Sequence, residues 1–434
     1  MQNRVHAEAI YRAAVAAVQP AALLPQYLQL KGDVLQIGNQ TISFANSNLY
    51  VIGAGKAAAA MAQTVESILG DHIKAGIVTT KYEHALPLET ITCIEAAHPV
   101  PDENSVKAVE QTINLLKQTK ANDVIICLLS GGASSLWVDT PADLSLPELQ
   151  QTFQLLLRSG ASIDEMNCVR RHLSQIKGGQ LLRYAPEANW FTFIISDVPG
   201  DQLQDIASGP TSADITTFAD AMNVINKYKL QQQLPVSVLK YLQKGVNAEV
   251  ADSTKPGDQL LKQVSNIIIG SNKTAIAAAK QKAGQLGYNV VVQEELLTGE
   301  TAEAASHIIQ RVTEHHANKP GCLLFGGETT VTVTGNGKGG RNQQLALCAL
   351  QQLRNNPNNI TLLSAGTDGT DGPTDAAGAF ADHALLKAAD EQQLSIKDAI
   401  NQNDAYHFFE KVNGLLKTGA TQTNVMDIVI VLVD

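Results

Sequence analysis

The sequence lacks the marks of several whole classes of protein. Its five cysteines (Cys93, Cys127, Cys168, Cys322 and Cys348) form no C-x-x-C pair and no ladder of spacings, so no disulfide framework is expected. Cys127 and Cys322 stand in apolar runs and read as small core residues. The odd count points to a reducing, cytoplasmic compartment. The ten histidines contain no H-x-x-x-H and no His/Cys cluster, which argues against zinc. No stretch approaches the roughly 18 apolar residues that span a membrane. The stretch from Met1 to Leu28 mixes acid and polar residues with alanine and reads as an amphipathic helix ending near Pro20, not a signal peptide. Basic blocks are missing too. With 32 Lys+Arg against 42 Asp+Glu the net charge is −10, so a nucleic-acid partner is not expected. No G-x-x-x-x-G-K-[ST] occurs, which excludes a Walker-type nucleotide loop.

What is present is an α/β pattern. With 44% hydrophobic and 17% charged residues, each of two or three domains can bury a core. Nearly all-apolar strands are expected at Leu49–Gly53, Gly76–Thr80, Asp123–Leu129, Trp190–Ser196, Asn266–Gly270, Asn289–Gln293, Gly321–Phe325, Thr329–Thr334, Ile360–Ser364 and Asp427–Val433. Helical stretches such as Ala57–Leu69, Asn104–Thr119, Thr274–Leu286 and Glu300–His315 lie between them, as in sheets covered on both faces. The three residues between Gly321–Phe325 and Thr329–Thr334 imply an antiparallel pair, so the second sheet is expected to be mixed. Four patterns recur in the same order: VIGAGKAAAA and IIIGSNKTAIAAA, CLLSGGASS and CLLFGGETT, KGGQLL and KGGRNQQL, FIISDVPGD and LLSAGTDGTDG. That order suggests two Rossmann-like three-layer halves related by duplication, joined within Gln231–Pro256. The expected domains are 1–240, with residues 1–45 able to pack on the other domain, and 241–434.

The candidate chemistry sits at strand ends, where open α/β sheets bind ligands. Gly53, Gly55 and Ala58 match the start of a dinucleotide fingerprint, but the next strand ends Thr79-Thr80-Lys81, without the acid that would hold a ribose. Lys56 at a helix start is unfavourable unless an anion lies beside it. Ser130, Gly131, Gly132 and Ser134 can form a nest for a phosphate or carboxylate, or simply a tight turn. In the loop from Gly335 to Arg341, Lys338 and Arg341 supply charge and Gly339 and Gly340 let backbone approach a ligand. Asp197 with Asp201, and Asp368 with Asp371, can hold Mg²⁺, accept a hydroxyl proton or make Asx turns.

Taken together, IASGPT (Ile206–Thr211), GGETTVTV (Gly326–Val333), GNGKGGRNQ and SAGTDGTDGPTDAAGA (Ser364–Ala379) resemble the glycerate 2-kinase family with a MOFRL-type C-terminal region, here about 320–430. The resemblance runs from VIGAGKA to TNVMDIVIVLV and differs from the usual pattern only in details such as Ala133 and Ser134. It implies two Rossmann-like domains with a cleft between them, and transfer of the ATP γ-phosphoryl group to the 2-hydroxyl of D-glycerate with Mg²⁺ or Mn²⁺. It puts Lys56 and Arg341 at the family's catalytic lysine and arginine positions. Gly326, Gly327, Glu328 and Asn342 join the expected substrate and phosphate contacts, with Asp197 and Asp368 as metal or hydroxyl ligands. Which loop holds ATP and which glycerate stays open, as does the oligomeric state, for which a homodimer is the candidate. Two alternatives are a nicotinamide-dependent hydroxypyruvate reductase, which the missing acid disfavours, and a non-catalytic sensor of a phosphorylated metabolite, which would want a helix-turn-helix or basic tail.

Overall fold

Strand β4 (Leu49–Ala54) is buried along its whole length, as its unbroken apolar run requires. Around it a six-stranded sheet is built from β5 (Ile73–Lys81), β6 (Ile91–Ala96), β7 (Val124–Leu129), β8 (Asn189–Ile195) and β9 (Val264–Gly270). Their spatial order is β6-β5-β4-β7-β8-β9, with β4 to β8 paired in parallel. Numbered along the sheet, this is the Rossmann order 3-2-1-4-5-6, whose chain reverses direction across the sheet between β4 and β7. Three short antiparallel strands, β1 (Leu28–Lys31), β2 (Val34–Ile37) and β3 (Gln40–Ser43), precede it.

The computed structural model describes residues 2–43, 47–314, 319–356 and 358–434. Two compact units emerge, Leu23–Ile269 and Met1–Ala22 with Gly270–Asp434. By contacts the division falls between Ile269 and Gly270, at the last residue of β9. The helix Val236–Val246 buries Val238 and Leu242 among Phe218, Val224 and Leu149 of the first unit. Hydrogen bonds from Thr254 N to the Gly178 carbonyl (2.9 Å) and from Asp214 N to the Thr254 carbonyl (2.8 Å) bind the following segment there too. The helix Gln2–Ala17, by contrast, packs in the second unit, against the helix Asn272–Gln285, and its Tyr11 hydroxyl donates to the Gly366 carbonyl at 2.7 Å.

The second unit holds β10 (Asn289–Val292), β11 (Gly321–Gly327), β12 (Ile360–Gly366), β13 (Gly378–Asp382), β14 (Leu415–Leu416) and β15 (Asp427–Val433). Their order is β10-β11-β15-β12-β13-β14; only β10 and β11 are parallel. The sheet is mixed, but for another reason than the one expected. The antiparallel neighbour of β11 is β15, not residues 329–334. In that segment Thr330 N donates to the Gly299 carbonyl (2.7 Å), Thr332 bonds Glu300, and Thr334 N donates to the Asn403 side chain (2.8 Å), so no ladder forms. Nor do the sheets repeat one another. The IIIGSNK strand that should open a second Rossmann half is β9, which completes the first sheet. The expected helix Glu300–His315 is seen as Thr301–Glu314; His315 lies outside the described residues.

A partly buried ionic cluster fastens the 252–255 segment to the helix Ile163–His172. Arg171 pairs with Asp214 (3.0 Å), and Lys255 with Asp252 (3.0 Å). His172 places Nδ1 2.8 Å from the Cys168 carbonyl and Nε2 2.9 Å from Asp252, two partners that can only accept, so both nitrogens donate and the ring is an imidazolium. Burial pulls the His172 pKa down, but the hydrogen bonds to Asp252 and Cys168 outweigh it and hold it at about 9. The folded value lies above the unfolded one. The stabilisation, on the order of 3 kcal/mol, is therefore complete below about pH 6.5 and is lost as pH rises to about 9. Urea midpoints measured from pH 6.5 to 9.5 should fall across this window, and His172→Gln should lower the midpoint at pH 6.5 and flatten the slope. An equally steep slope in the variant would remove His172 as its source.

Candidate active site

In the first unit the predicted residues converge on the point between β4 and β7 where the sheet order reverses. Gly53 in β4 lies against Leu128 of β7, and Gly55, just past β4, against Ser130 in the turn that follows β7. A Cβ on Gly55, whose φ is 134°, would lie 2.1 Å from Ser130 Oγ, so only glycine lets the two backbones approach this closely. The contact consumes the start of the helix Ala58–Leu69. Lys56 N donates to the Gly131 carbonyl (2.8 Å), Ala57 N to Ser130 Oγ (3.0 Å) and Ala58 N to the Gly55 carbonyl (3.0 Å). The N–H groups that would cradle a dinucleotide pyrophosphate are therefore occupied. Among the described residues, the N–H groups of Gly131, Gly132 and Ser134 find no protein acceptor. A Cβ on Gly132 would stand 3.1 Å from the His98 ring and 3.4 Å from Lys56 Cγ, so both side chains lie over this turn.

Ser134 is half-buried, and its hydroxyl pairs with that of Ser208 at 2.9 Å. Ala207 and Ser208 both have φ near 55–60°, a conformation that costs a side-chain-bearing residue roughly 1–2 kcal/mol each. Asp197 follows β8, half-buried, ahead of the turn Val198–Asp201.

In the second unit Gly326, Gly327, Glu328, Arg341 and Asn342 come together at the carboxyl ends of β11 and β12 with a residue outside the expected set, Asp427. Because β15 runs antiparallel to both neighbours, its first residue stands at their last ones, opposite Gly327 and Gly366. Arg341 holds Asp427 with two parallel bonds (Nε 2.6 Å, Nη2 2.9 Å) and Glu328 at 2.7 Å. Burial works against the guanidinium charge, but Asp427, Glu328 and Asp371 outweigh it and raise its pKa. At a helix start a cation is unfavourable unless an anion lies beside it, and here the chain itself supplies the anions.

The helix Arg341–Leu353 is likewise closed at its start. Asp371 accepts from Asn342 N (3.1 Å) and Gln343 N (2.8 Å), while Asn342 Oδ1 accepts from Ser364 Oγ (2.6 Å). Gly340 is what admits Asp371, since a Cβ there would lie 2.3 Å from the carboxyl carbon. Burial raises Asp371 to about 6, against the two N–H donors. Gly335 and Gly337 press on Gln402 and Asp404, Lys338 Nζ lies 4.4 Å over the Tyr406 ring, and Gly339 stands next to Ala405. The loop's glycines therefore serve packing within the unit.

Asp368 accepts from Thr370 N (3.1 Å) in an Asx turn. Its Oδ1, Asp427 Oδ1 and the Thr370 carbonyl oxygen converge beside Gly366, where a Cβ would be 3.2–3.3 Å from all three. Among the described residues no group of three or more His, Cys, Asp or Glu is arranged to hold a metal, and Asp197 and Asp368 belong to different units.

Two family descriptions match the chain, the domain of unknown function DUF4147 over residues 6–243 and the MOFRL family over 321–427. The glycerate 2-kinase of Pyrococcus horikoshii is 37% identical over 97% of this chain and 95% of its own length. The D-glycerate 2-kinase of Thermotoga maritima is 39% identical over 88% and 90%. A crystal structure of glycerate kinase from Thermotoga maritima covers 100% of both chains with a TM-score of 0.85 and 36% identity. The chain belongs to the glycerate 2-kinase family. Among the residues of this glycerate 2-kinase fold that the sequence did not flag, Asp427 was visible as the one acid opening an otherwise apolar final strand. Only the antiparallel direction of β15 gives it meaning. Ser208 carries no sequence signal beyond standing in IASGPT.

Arg341 and Asp427 should act as one unit. Asp427→Ala and Arg341→Ala should each depress kcat/KM for glycerate phosphorylation, and the double variant should lose far less than the product of the two losses. Steady-state kinetics of the four proteins measure the coupling; strictly multiplicative losses would mean that the two act separately.

Proposed function

We propose that this glycerate 2-kinase uses ATP as donor and a divalent cation, with Lys56 and Arg341 as its catalytic cations. One observation carries the reading. The two helix starts that could bind phosphate are closed from within by Ser130 and by Asp371, so the positive charge on offer is in the side chains that stand there. Phosphoryl transfer asks a protein for positioning and charge stabilisation more than for covalent chemistry. In this reading the N–H groups of Gly131, Gly132 and Ser134 receive an oxyanion of one substrate, with Lys56 above them. Gly53 and Gly55 keep that turn in place. Arg341, oriented by Asp427 and Glu328, meets the transferring phosphoryl group, and Lys338 supports it from the loop. Asp197 accepts the proton of the glycerate 2-hydroxyl as its oxygen attacks the γ-phosphorus and ADP leaves, yielding 2-phosphoglycerate.

The hard oxygen set of Asp368, Asp427 and the Thr370 carbonyl suits Mg²⁺ or Mn²⁺. Such an ion would neutralise phosphate charge. A nicotinamide reaction is disfavoured by the consumed N–H groups at the Ala58–Leu69 helix and by the absence of an acid at Thr79-Thr80-Lys81.

Phosphorus NMR of the protein with ATP, Mg²⁺ and D-glycerate should show ADP and 2-phosphoglycerate appearing together. The signal should stop with chelator and resume with Mg²⁺ or Mn²⁺. Lys56→Ala and Arg341→Ala should each slow turnover about 10²-fold or more in a folded protein. A variant that turns over normally takes its residue out of the catalytic set, and activity that survives chelation removes the cation.

A further inference from the structure

Lys177 is a buried cation in the first unit that the proposed reaction does not use. It is 3% exposed, and its Nζ donates to the carbonyl oxygens of Ser134 (2.8 Å) and Trp137 (2.9 Å). Its backbone is fixed on a rigid platform. Asp139 accepts from Ser174 Oγ and Gln175 N (both 2.5 Å), Ser174 Oγ accepts from Ile176 N and Lys177 N (both 3.1 Å), and Gln180 Nε2 donates to the Lys177 carbonyl (3.1 Å). The next two residues reach the strained loop after β8. Gly178 N donates to the Ser208 carbonyl (2.9 Å) and Gly179 N to that of Gly209 (2.7 Å). Ser208 in turn holds the Ser134 hydroxyl.

Ser134 is therefore gripped twice from one platform, at its carbonyl by Lys177 and at its hydroxyl by Ser208. We propose that Lys177 and Ser208 are positioning residues that fix the Ser130–Ser134 turn in the shape that receives a substrate oxyanion, a carboxylate or a phosphate. The proposal rests on the reading that this turn binds substrate.

Such a lysine is costly to keep. Burial pulls its pKa down to about 7 against the attraction of Asp139, the neighbouring Arg170 adding to the fall. An apolar residue of similar length would avoid that desolvation but leave the carbonyls of Ser134 and Trp137 without this donor. What only a donor can do here is draw two carbonyls to one point. With the carbonyl and hydroxyl of Ser134 committed behind the turn, its N–H and those of Gly131 and Gly132 are the polar groups left to a ligand. The backbone strain at Ala207 and Ser208 is explained in the same way, since it aims the Ser208 hydroxyl and carbonyl at Ser134 and Gly178 together.

The test is a steady-state comparison of Lys177→Met, Lys177→Gln, Ser208→Ala, Ser134→Ala and Gly132→Ala, with KM measured separately for glycerate and for ATP. A turn that has lost its shape binds one of the two poorly. KM for that substrate should rise about 10-fold or more in Lys177→Met and Ser208→Ala, with kcat within about 3-fold and the other KM unchanged. Lys177→Gln, which can still donate to one carbonyl, should fall between the wild type and Lys177→Met. Which KM moves identifies the oxyanion as carboxylate or phosphate. A purely structural lysine would instead lower the active fraction, and so the apparent kcat, and leave both KM values alone. That outcome overturns the proposal, and if Lys177→Met does not fold, unchanged KM values in Lys177→Gln and Ser208→Ala overturn it equally. Ser134→Ala removes the hydroxyl that Ser208 holds but keeps the N–H, so it should raise the same KM as Ser208→Ala. Gly132→Ala, whose Cβ would crowd the His98 ring on the turn itself (3.1 Å), separates the two levels. If Gly132→Ala raises KM and the Lys177, Ser208 and Ser134 variants do not, the turn binds substrate without these supports; if none of the five moves either KM, the substrate role of the turn itself fails.

Discussion

Helix starts carry unpaired N–H groups, and how they are satisfied governs what each unit can bind. In the first unit the turn after β7 reaches across to the helix Ala58–Leu69 and takes up its first donors through Ser130 Oγ and the Gly131 carbonyl. That contact needs backbones closer than any side chain permits, hence Gly53 and Gly55, and it leaves the turn's own N–H groups as the polar edge of the site. In the second unit Asp371 does the same for the helix Arg341–Leu353, admitted by Gly340. Both places look from the sequence like phosphate cradles, and in both the protein has filled the cradle itself.

The consequence is a division of labour between backbone and side chain. In the proposed reaction, with helix ends spent, positive charge rests on Lys56 and Arg341, and Arg341 is held by the chain's own acids. Its two parallel bonds to Asp427 and the contact with Glu328 fix the plane of the guanidinium while offsetting much of its charge. Asp427, Asp368 and Asp371 give this corner a surplus of carboxylate, felt by Tyr11, whose phenol is pushed up by burial and by the Asp368 charge. That surplus is what the proposed divalent cation would answer.

Much of the fold was legible because buried strands advertise themselves. Nine of the ten expected runs are strands, being nearly all apolar between glycine or polar punctuation. The strands that went unseen have the opposite character. β13, Gly-Ala-Phe-Ala-Asp, is short and mostly of small residues, and a Cβ on Gly378 would lie 1.9 Å from the Ser364 carbonyl. β6, Ile91–Ala96, is only partly buried and carries Thr92 and Glu95 within it. The apparent duplication shows the limit of local pattern. Strand, glycine turn and helix recur because every β-α crossover needs them, while sheet order is set by pairings between distant segments that no short window contains. The candidate residues of each unit were found by the same punctuation, and Asp427 was missed because its role depends on strand direction.

One feature of the topology bears on how the protein comes to exist. The first unit is a single continuous segment, so everything it needs leaves the ribosome in one uninterrupted stretch. The second unit is assembled from the two flanks. Its first helix emerges before residue 23, but β15, the strand that joins β11 to β12, is made after all the other strands of its sheet. The facing edges of β11 and β12, and the helix Gln2–Ala17, must therefore remain without their shared partner until that strand is released. During synthesis the nascent chain carries a finished domain and an unfinished one, and unpaired strand edges of the unfinished one are the kind of surface that aggregates.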